Sequence, residues 1–171
     1  MARRYRPSLE RAPSALALIG IPAASVMLGS MAPILPMIAT APILPPLGLL
    51  MLLAWRLLVR ELWPVWAGLP LGLFDDLLSG QPLGSSAFLW TLSFFIIDLF
   101  DRRMMWRDYK QDWLIGAGLL AATLFGGLLI ANLTGGSTNP LYVIPQIVVT
   151  CLCLPFALRL CSSLDRLRWS L

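Results

Sequence analysis

Long apolar segments joined by short connections dominate this sequence and limit what the chain can fold into. Of the 171 residues, 58% are hydrophobic and 13% are charged, whereas a soluble domain carries about 25% charged residues. We therefore interpret the chain as an all-α polytopic membrane protein. The six apolar segments cover residues 14–31, 43–59, 62–78, 84–100, 113–133 and 141–160.

The cations occupy alternate connections. All 13 lysines and arginines lie before the first segment, at the end of the second, between the fourth and fifth, or from the end of the sixth onward. The other three connections carry no charge. Because cytoplasmic loops are enriched in Lys and Arg, we predict six transmembrane helices in one bundle, with both termini cytoplasmic. Residues 1–171 then form a single transmembrane domain, with a cytoplasmic N-terminal segment at 1–13 and a cytoplasmic tail at 162–171.

The third and fourth segments are short for membrane spans. A spanning helix needs about 20 residues, with a range of about 17 to 25, and residues 62–78 lie at the lower limit. Residues 60 and 102 both lie on the charged side, so an even number of crossings separates them. We predict a short third segment, with a broken helix or a re-entrant hairpin as the alternative to a full crossing.

The residue types for catalysis or metal binding are scarce. The chain has no histidine, which removes the commonest general base and metal ligand. The cysteines are Cys151, Cys153 and Cys161, and the first two lie within an apolar run, too isolated for a zinc site, which takes four ligands. We therefore expect no enzyme activity, no cofactor, no metal and no catalytic residue. The net charge of +4 is explained by cations at the membrane edge, so we expect no nucleic acid partner.

Two adjacent carboxylates, Asp75 and Asp76, lie inside the apolar third segment. A charge within a membrane helix is costly and has to be offset. The uncharged connections on that side offer no cation, so the available partners are backbone N–H groups, hydroxyls, Gln81 or water. Three roles stay open: satisfying the backbone of the turn at 79–86, contacting a partner protein, or holding a coupling ion.

Glycines at four-residue spacing distinguish the two acids. Residues four apart stay on one face of a helix, and glycines there let another helix approach closely. Asp76 shares that face and is predicted to point at a neighbouring helix, whereas Asp75 is turned about 100° away. The stripe consists of Gly68, Gly72, Asp76 and Gly80, and Gly84 continues the spacing.

The fifth segment has a second stripe of small residues at the same spacing, Gly118, Ala122 and Gly126. This stripe favours close helix packing, either within the chain or against a partner.

Asp98 lies four residues before Arg102, and we predict an ion pair between them at the cytoplasmic surface.

The stretch PVWAGLPLGLFDDLLSGQPLGSSAFL, residues 64–89, resembles the rod-shape-determining protein MreD family of bacteria. The family pattern has Gly, three residues, Asp, three residues and Gly, followed by Leu-Gly before the next helix. A proline-rich stretch and Trp55 before Pro64 also match. Asp75 departs from the single Asp of the pattern, so spacing alone assigns the family acid to Asp76. The pattern falls on Gly72, Asp76, Gly80, Leu83 and Gly84.

The resemblance implies a non-catalytic scaffold of the cell-wall elongation machinery in the bacterial inner membrane. Such a scaffold supports side-wall peptidoglycan synthesis and rod shape together with an MreC-like protein that crosses the bilayer once. MreB, RodA and the partner transpeptidase of RodA are the further partners implied. The two small-residue stripes are the candidate contact faces. The family fold is similar to that of substrate-binding subunits of vitamin importers, so a small-molecule importer subunit is the alternative function.

Overall fold

A computed structural model describes residues 15–32, 45–103, 109–136, 141 and 143–170. Every regular element within these ranges is helical, which confirms the all-α prediction. Each of the six predicted segments overlaps one α-helix of the described ranges. The α-helices are α1 (Ala15–Ser30), α2 (Leu47–Leu58), α3 (Gly68–Ser79), α4 (Ser85–Arg103), α5 (Tyr109–Leu133) and α6 (Val143–Ser170).

Helix lengths fall into two groups. Two stretches, Lys110–Leu133 and Val143–Arg168, are long and apolar enough to cross a bilayer, and Leu18–Ser30 and Leu47–Leu58 are shorter apolar helices. These features fit a membrane protein. The number of crossings and the location of the termini stay predictions.

The third segment is shorter as a helix than predicted. Its α-helical part is Gly68–Ser79, 12 residues, which spans about 18 Å against the ~30 Å of a hydrocarbon core. Residues 59–64 are not helical, and a 3₁₀ turn at Val65–Ala67 precedes α3. Pro64 favours this break because a residue that precedes proline avoids helical backbone angles. By length, α3 alone does not reach across a bilayer.

Helix α2 lies in the centre of the bundle, with α1, α5 and α6 packed against it. Ten consecutive residues, Gly48 to Leu57, are buried, so this helix has no lipid-facing side along most of its length. The fully buried Trp55 donates its indole N–H to Ser25 Oγ of α1 at 2.8 Å. A buried indole needs such an acceptor, and the bond fixes α1 against α2.

Ion pairs join the helices at one end of the bundle. Arg56 of α2 is buried and lies 3.4 Å from the Asp101 carboxylate of α4 and 4.0 Å from that of Asp98. The predicted pair between Asp98 and Arg102 is confirmed, at 2.8 Å. The carboxyl-terminal ends of α2 and α4 are therefore held together by charge.

Arg168 joins α6 to the same end. Pro22 lies inside α1 and has no N–H, which deprives the Leu18 carbonyl of its helical donor. The buried Arg168 guanidinium donates to that carbonyl at 3.2 Å and lies over the Trp55 ring at 5.9 Å. One cation thereby satisfies a carbonyl freed by proline and packs on the central helix.

Candidate functional site

The Asp76 carboxylate sits between α3 and α4 with only 2% of its surface exposed. Its Oδ1 atom accepts hydrogen bonds from the Ser86 N–H at 2.8 Å and the Ser85 hydroxyl at 3.0 Å. Its Oδ2 atom accepts from the Gly84 N–H at 2.9 Å and the Ala87 N–H at 3.3 Å. The carboxylate is therefore bonded to four donors at the start of α4.

These bonds complete the start of the α4 helix. The first N–H groups of an α-helix have no acceptor within the helix, and the first bond inside α4 runs from the Phe88 N–H to the Gly84 carbonyl. The Ser85 N–H is bonded to the Pro82 carbonyl at 3.0 Å. Asp76 accepts the other three N–H groups, and its charge interacts favourably with the helix dipole. Of the roles considered, the geometry places Asp76 in that of satisfying the backbone of the turn.

Glycines bring the two helices close enough for these bonds. A Cβ atom at Gly72 would lie 2.6 Å from the backbone of Ala87, and one at Gly68 would lie 2.8 Å from that of Thr91. Neither gap accommodates a side chain without a backbone shift. The neighbour predicted for the glycine stripe is therefore α4 of the same chain, and Gly68 and Gly72 offer no surface to a partner.

The other two glycines of this stripe shape the turn. Gly80 ends α3 with φ of +67°, and Gly84 precedes α4 with φ of +95°. Only glycine adopts such left-handed angles at little cost. They direct the chain back so that the amino-terminal end of α4 meets Asp76.

Asp75 lies in a different environment. It is half-buried and accepts one hydrogen bond, from Ser86 Oγ at 3.1 Å. Its carboxylate lines a cavity of about 220 Å³ whose walls come from α2 to α6. The polar lining comes from Asp75, Gln81, Ser86, Thr123 and Gln146. Thr123 and Trp90 could not be assigned to this cavity from the sequence, because each lies on another helix and no motif marks either of them.

The stripe on α5 is divided between two surfaces. Gly118 and Ala122 are exposed, and a Cβ atom at Gly118 would contact nothing within 4 Å. Gly126 is half-buried, and its added Cβ would lie 2.8 Å from the Leu89 side chain of α4. A second tight internal contact of α5 is outside the stripe, at Gly116, where a Cβ would lie 2.8 Å from both Leu154 and Leu57.

Few groups for catalysis or metal binding come together in the described ranges. No three His, Cys, Asp or Glu side chains lie close enough there to hold a metal ion. The cysteines at 151, 153 and 161 are free thiols, and Cys161 is buried against Met51 Sδ at 4.0 Å. The polar chemistry away from the charged end is centred on Asp75, Asp76 and their hydroxyl and amide neighbours.

Comparison with known proteins identifies the family. The family model for the rod shape-determining protein MreD matches residues 16–160, most of the chain and all of α2 to α5. No curated protein and no solved structure matches. The matched range includes the carboxylate-capped turn between α3 and α4 and the exposed face of α5. The chain belongs to the MreD family of rod shape-determining membrane proteins.

Proposed function

We propose that this protein is a non-catalytic scaffold of the cell-wall elongation machinery in the bacterial inner membrane. It supports side-wall peptidoglycan synthesis by holding the transmembrane helix of an MreC-like partner. MreB, RodA and the transpeptidase that works with RodA complete the proposed assembly. The observation that carries the proposal is membership of the rod shape-determining family over residues 16–160.

The exposed face of α5 is the contact surface that we assign to the partner helix. It carries Leu114, Gly118, Ala122 and Phe125 at helical spacing, all exposed. A groove of about 380 Å³ runs beside Gly118, between α5 and Phe100 of α4. Because lipid tails are as apolar as leucine, helices associate in a bilayer by close packing, which small residues permit. The face thus combines two small residues with apolar side chains on either side.

The α3–α4 unit has a different place in this proposal. Its residues Gly68, Gly72 and Asp76 contact α4 of the same chain, so their role is to stabilise the bundle. The importer-subunit alternative requires a site for a small molecule, and such sites typically measure about 300–1,000 Å³. The cavity beside Asp75, which contains the carboxylate inside the apolar third segment, is smaller, about 220 Å³, and so gives the importer alternative little support.

Overpacking the α5 face tests the proposal. Gly118→Leu and Ala122→Leu each place a bulky side chain on the exposed stripe, where the fold has space for it. We expect both variants to accumulate and unfold like the wild type, to lose the MreC-like partner in pull-downs, and to leave depleted cells rounded. Ala24→Leu is the matched control, because Ala24 is an exposed alanine on α1, which packs on α2, α3 and α6.

Gly72→Leu gives the contrasting result expected of an internal contact, which is loss of folded protein. The scaffold proposal fails if both α5 variants retain the partner and sustain rods of normal width. It also fails if depletion of the protein leaves cell shape unchanged and wall-synthesis proteins do not co-purify with it.

A further inference from the structure

We propose that the cavity beside Asp75 binds a compact monovalent cation, either an alkali ion or a primary ammonium group. The site is independent of the α5 face, and the proposal does not rest on the scaffold function. It follows from the charge of the cavity, the unused acceptor capacity of Asp75 and the chemistry of the lining.

Among the described residues, the cavity wall offers one acidic group and no basic group. Asp75 is its only charged lining residue in the described part of the chain, and no lysine or arginine contributes to its wall. The ion pairs made by Arg56, Arg102 and Arg168 lie at the opposite ends of α2 and α4 or at the end of α6. A carboxylate that is half-buried in such surroundings, next to a second carboxylate, is stabilised by a positive charge nearby.

The two acids differ in the acceptor capacity that they have left. Asp76 accepts four hydrogen bonds, two at each oxygen, which matches the capacity of a carboxylate of about four lone-pair sites. Asp75 accepts one, from Ser86 Oγ to its Oδ2 atom. The Ser30 hydroxyl of α1 also lies near the Asp75 carboxyl group. Asp75 therefore keeps acceptor capacity for a ligand in the cavity.

The lining suits a compact cation. Gln81, Thr123 and Gln146 add amide and hydroxyl oxygens from the α3–α4 turn, α5 and α6, and hard oxygen ligands prefer hard cations. One carboxylate balances one positive charge, which favours a monovalent ion over a divalent one. The buried Trp90 ring also lines the cavity, and an aromatic face attracts alkali and ammonium cations.

The size of the cavity agrees with this ligand. A water molecule occupies about 30 Å³ in the liquid, so about 220 Å³ accommodates an alkali ion with part of its hydration shell, or a methylammonium-sized group. The preference for a compact cation rests on the single carboxylate and the oxygen atoms of the lining rather than on the volume.

Thermal unfolding of the full-length chain in neutral detergent tests the proposal. The probes are sodium, potassium, methylammonium and N-methylglucamine chlorides, compared at constant ionic strength. We expect at least one of the three compact cations to raise the Tm saturably by about 5 °C over N-methylglucamine, the shift typical of a ligand well above its Kd. A rise with sodium or potassium identifies an inorganic ion, and a rise with methylammonium alone identifies an amine.

Two variants and one control connect any such rise to the cavity. Asp75→Asn removes the charge, and Gly127→Val fills the cavity from α5, where a Cβ atom meets only ordinary contacts with Gln81 and Leu89. Both are expected to abolish the rise, while Glu61→Gln, which removes an exposed carboxylate elsewhere, is expected to keep it. Equal Tm in all four salts overturns the proposal, as does a rise that persists in either cavity variant. A Tm that rises only on acidification would also overturn it, because Asp75 would then be neutralised by a proton.

Discussion

Replacement of Asp76 by alanine isolates what its carboxylate contributes to the fold. The change removes the acceptor of four donors at the start of α4. Two of them can find another partner: the Gly84 N–H is partly buried and can be hydrated, and the Ser85 hydroxyl can turn towards Gln81, 3.4 Å away. The N–H groups of Ser86 and Ala87 are buried and have no other acceptor at this helix end. A buried unsatisfied donor costs about 1–3 kcal/mol, and the Ala87 bond is the weaker of the two at 3.3 Å. We therefore expect Asp76→Ala to destabilise the protein by about 3 kcal/mol.

Asparagine at the same position should give an intermediate result. One side-chain oxygen remains and can keep the bonds from Ser86 and Ser85, while the new NH₂ group meets the N–H groups of Gly84 and Ala87 as a donor facing donors. We expect about half the loss of the alanine variant. Leucine, which is bulky and has no acceptor, should be worse than alanine, because the glycine-lined contact leaves no space for it.

The measurement is thermal unfolding of the purified chain in detergent, made without sodium or potassium so that the cavity does not contribute. For a chain of this length, 1 kcal/mol corresponds to a Tm shift of about 2–4 °C, so Asp76→Ala should unfold about 6–12 °C below the wild type. Asp75→Ala is the matched control, with one bond lost from a half-buried group and a shift of less than about 4 °C. The reasoning is refuted if the two alanine variants unfold at the same temperature, or if Asp76→Asn is as damaging as Asp76→Leu.

Two further predictions address the charged end and the topology. Arg168→Met keeps an apolar stem over Trp55 but leaves the Leu18 carbonyl without its guanidinium donor. We expect the variant to lose about 1–3 kcal/mol of stability, measured as a lower Tm and as earlier proteolysis of α1. An unchanged Tm would show that this contact is dispensable. In a cysteine-free background, Leu83→Cys and Thr134→Cys should react with an impermeant thiol reagent from outside the inner membrane, whereas Gln111→Cys should react only after permeabilisation. Reversed accessibility at one of these positions would rule out the six-crossing topology.

The sequence alone predicts that this protein is a helical membrane protein. Hydrophobic content and the alternation of charged and uncharged connections indicate a helical membrane protein, because a bilayer admits only structures whose backbone is satisfied internally. The four-residue spacing placed Asp76 rather than Asp75 on the face towards another helix, and the structure confirms that placement. Spacing determines a face because the helical repeat is the same in every α-helix.

Only the tertiary structure shows which helix packs against a given helix face. The sequence could not show that the helix facing Gly72 is α4 of the same chain, or that Asp76 completes its amino-terminal turn. On α5 the spacing marked Gly118, which faces outward, whereas Gly116, which it did not mark, is at a tight internal contact because Leu57 and Leu154 meet there. The place of Arg168 likewise depends on the Leu18 carbonyl, which Pro22 leaves without a helical donor and which lies 150 residues before Arg168 in the chain. The helical repeat determines which way a residue points within its own helix. The residue that it contacts on another helix depends on how the helices pack around the common core.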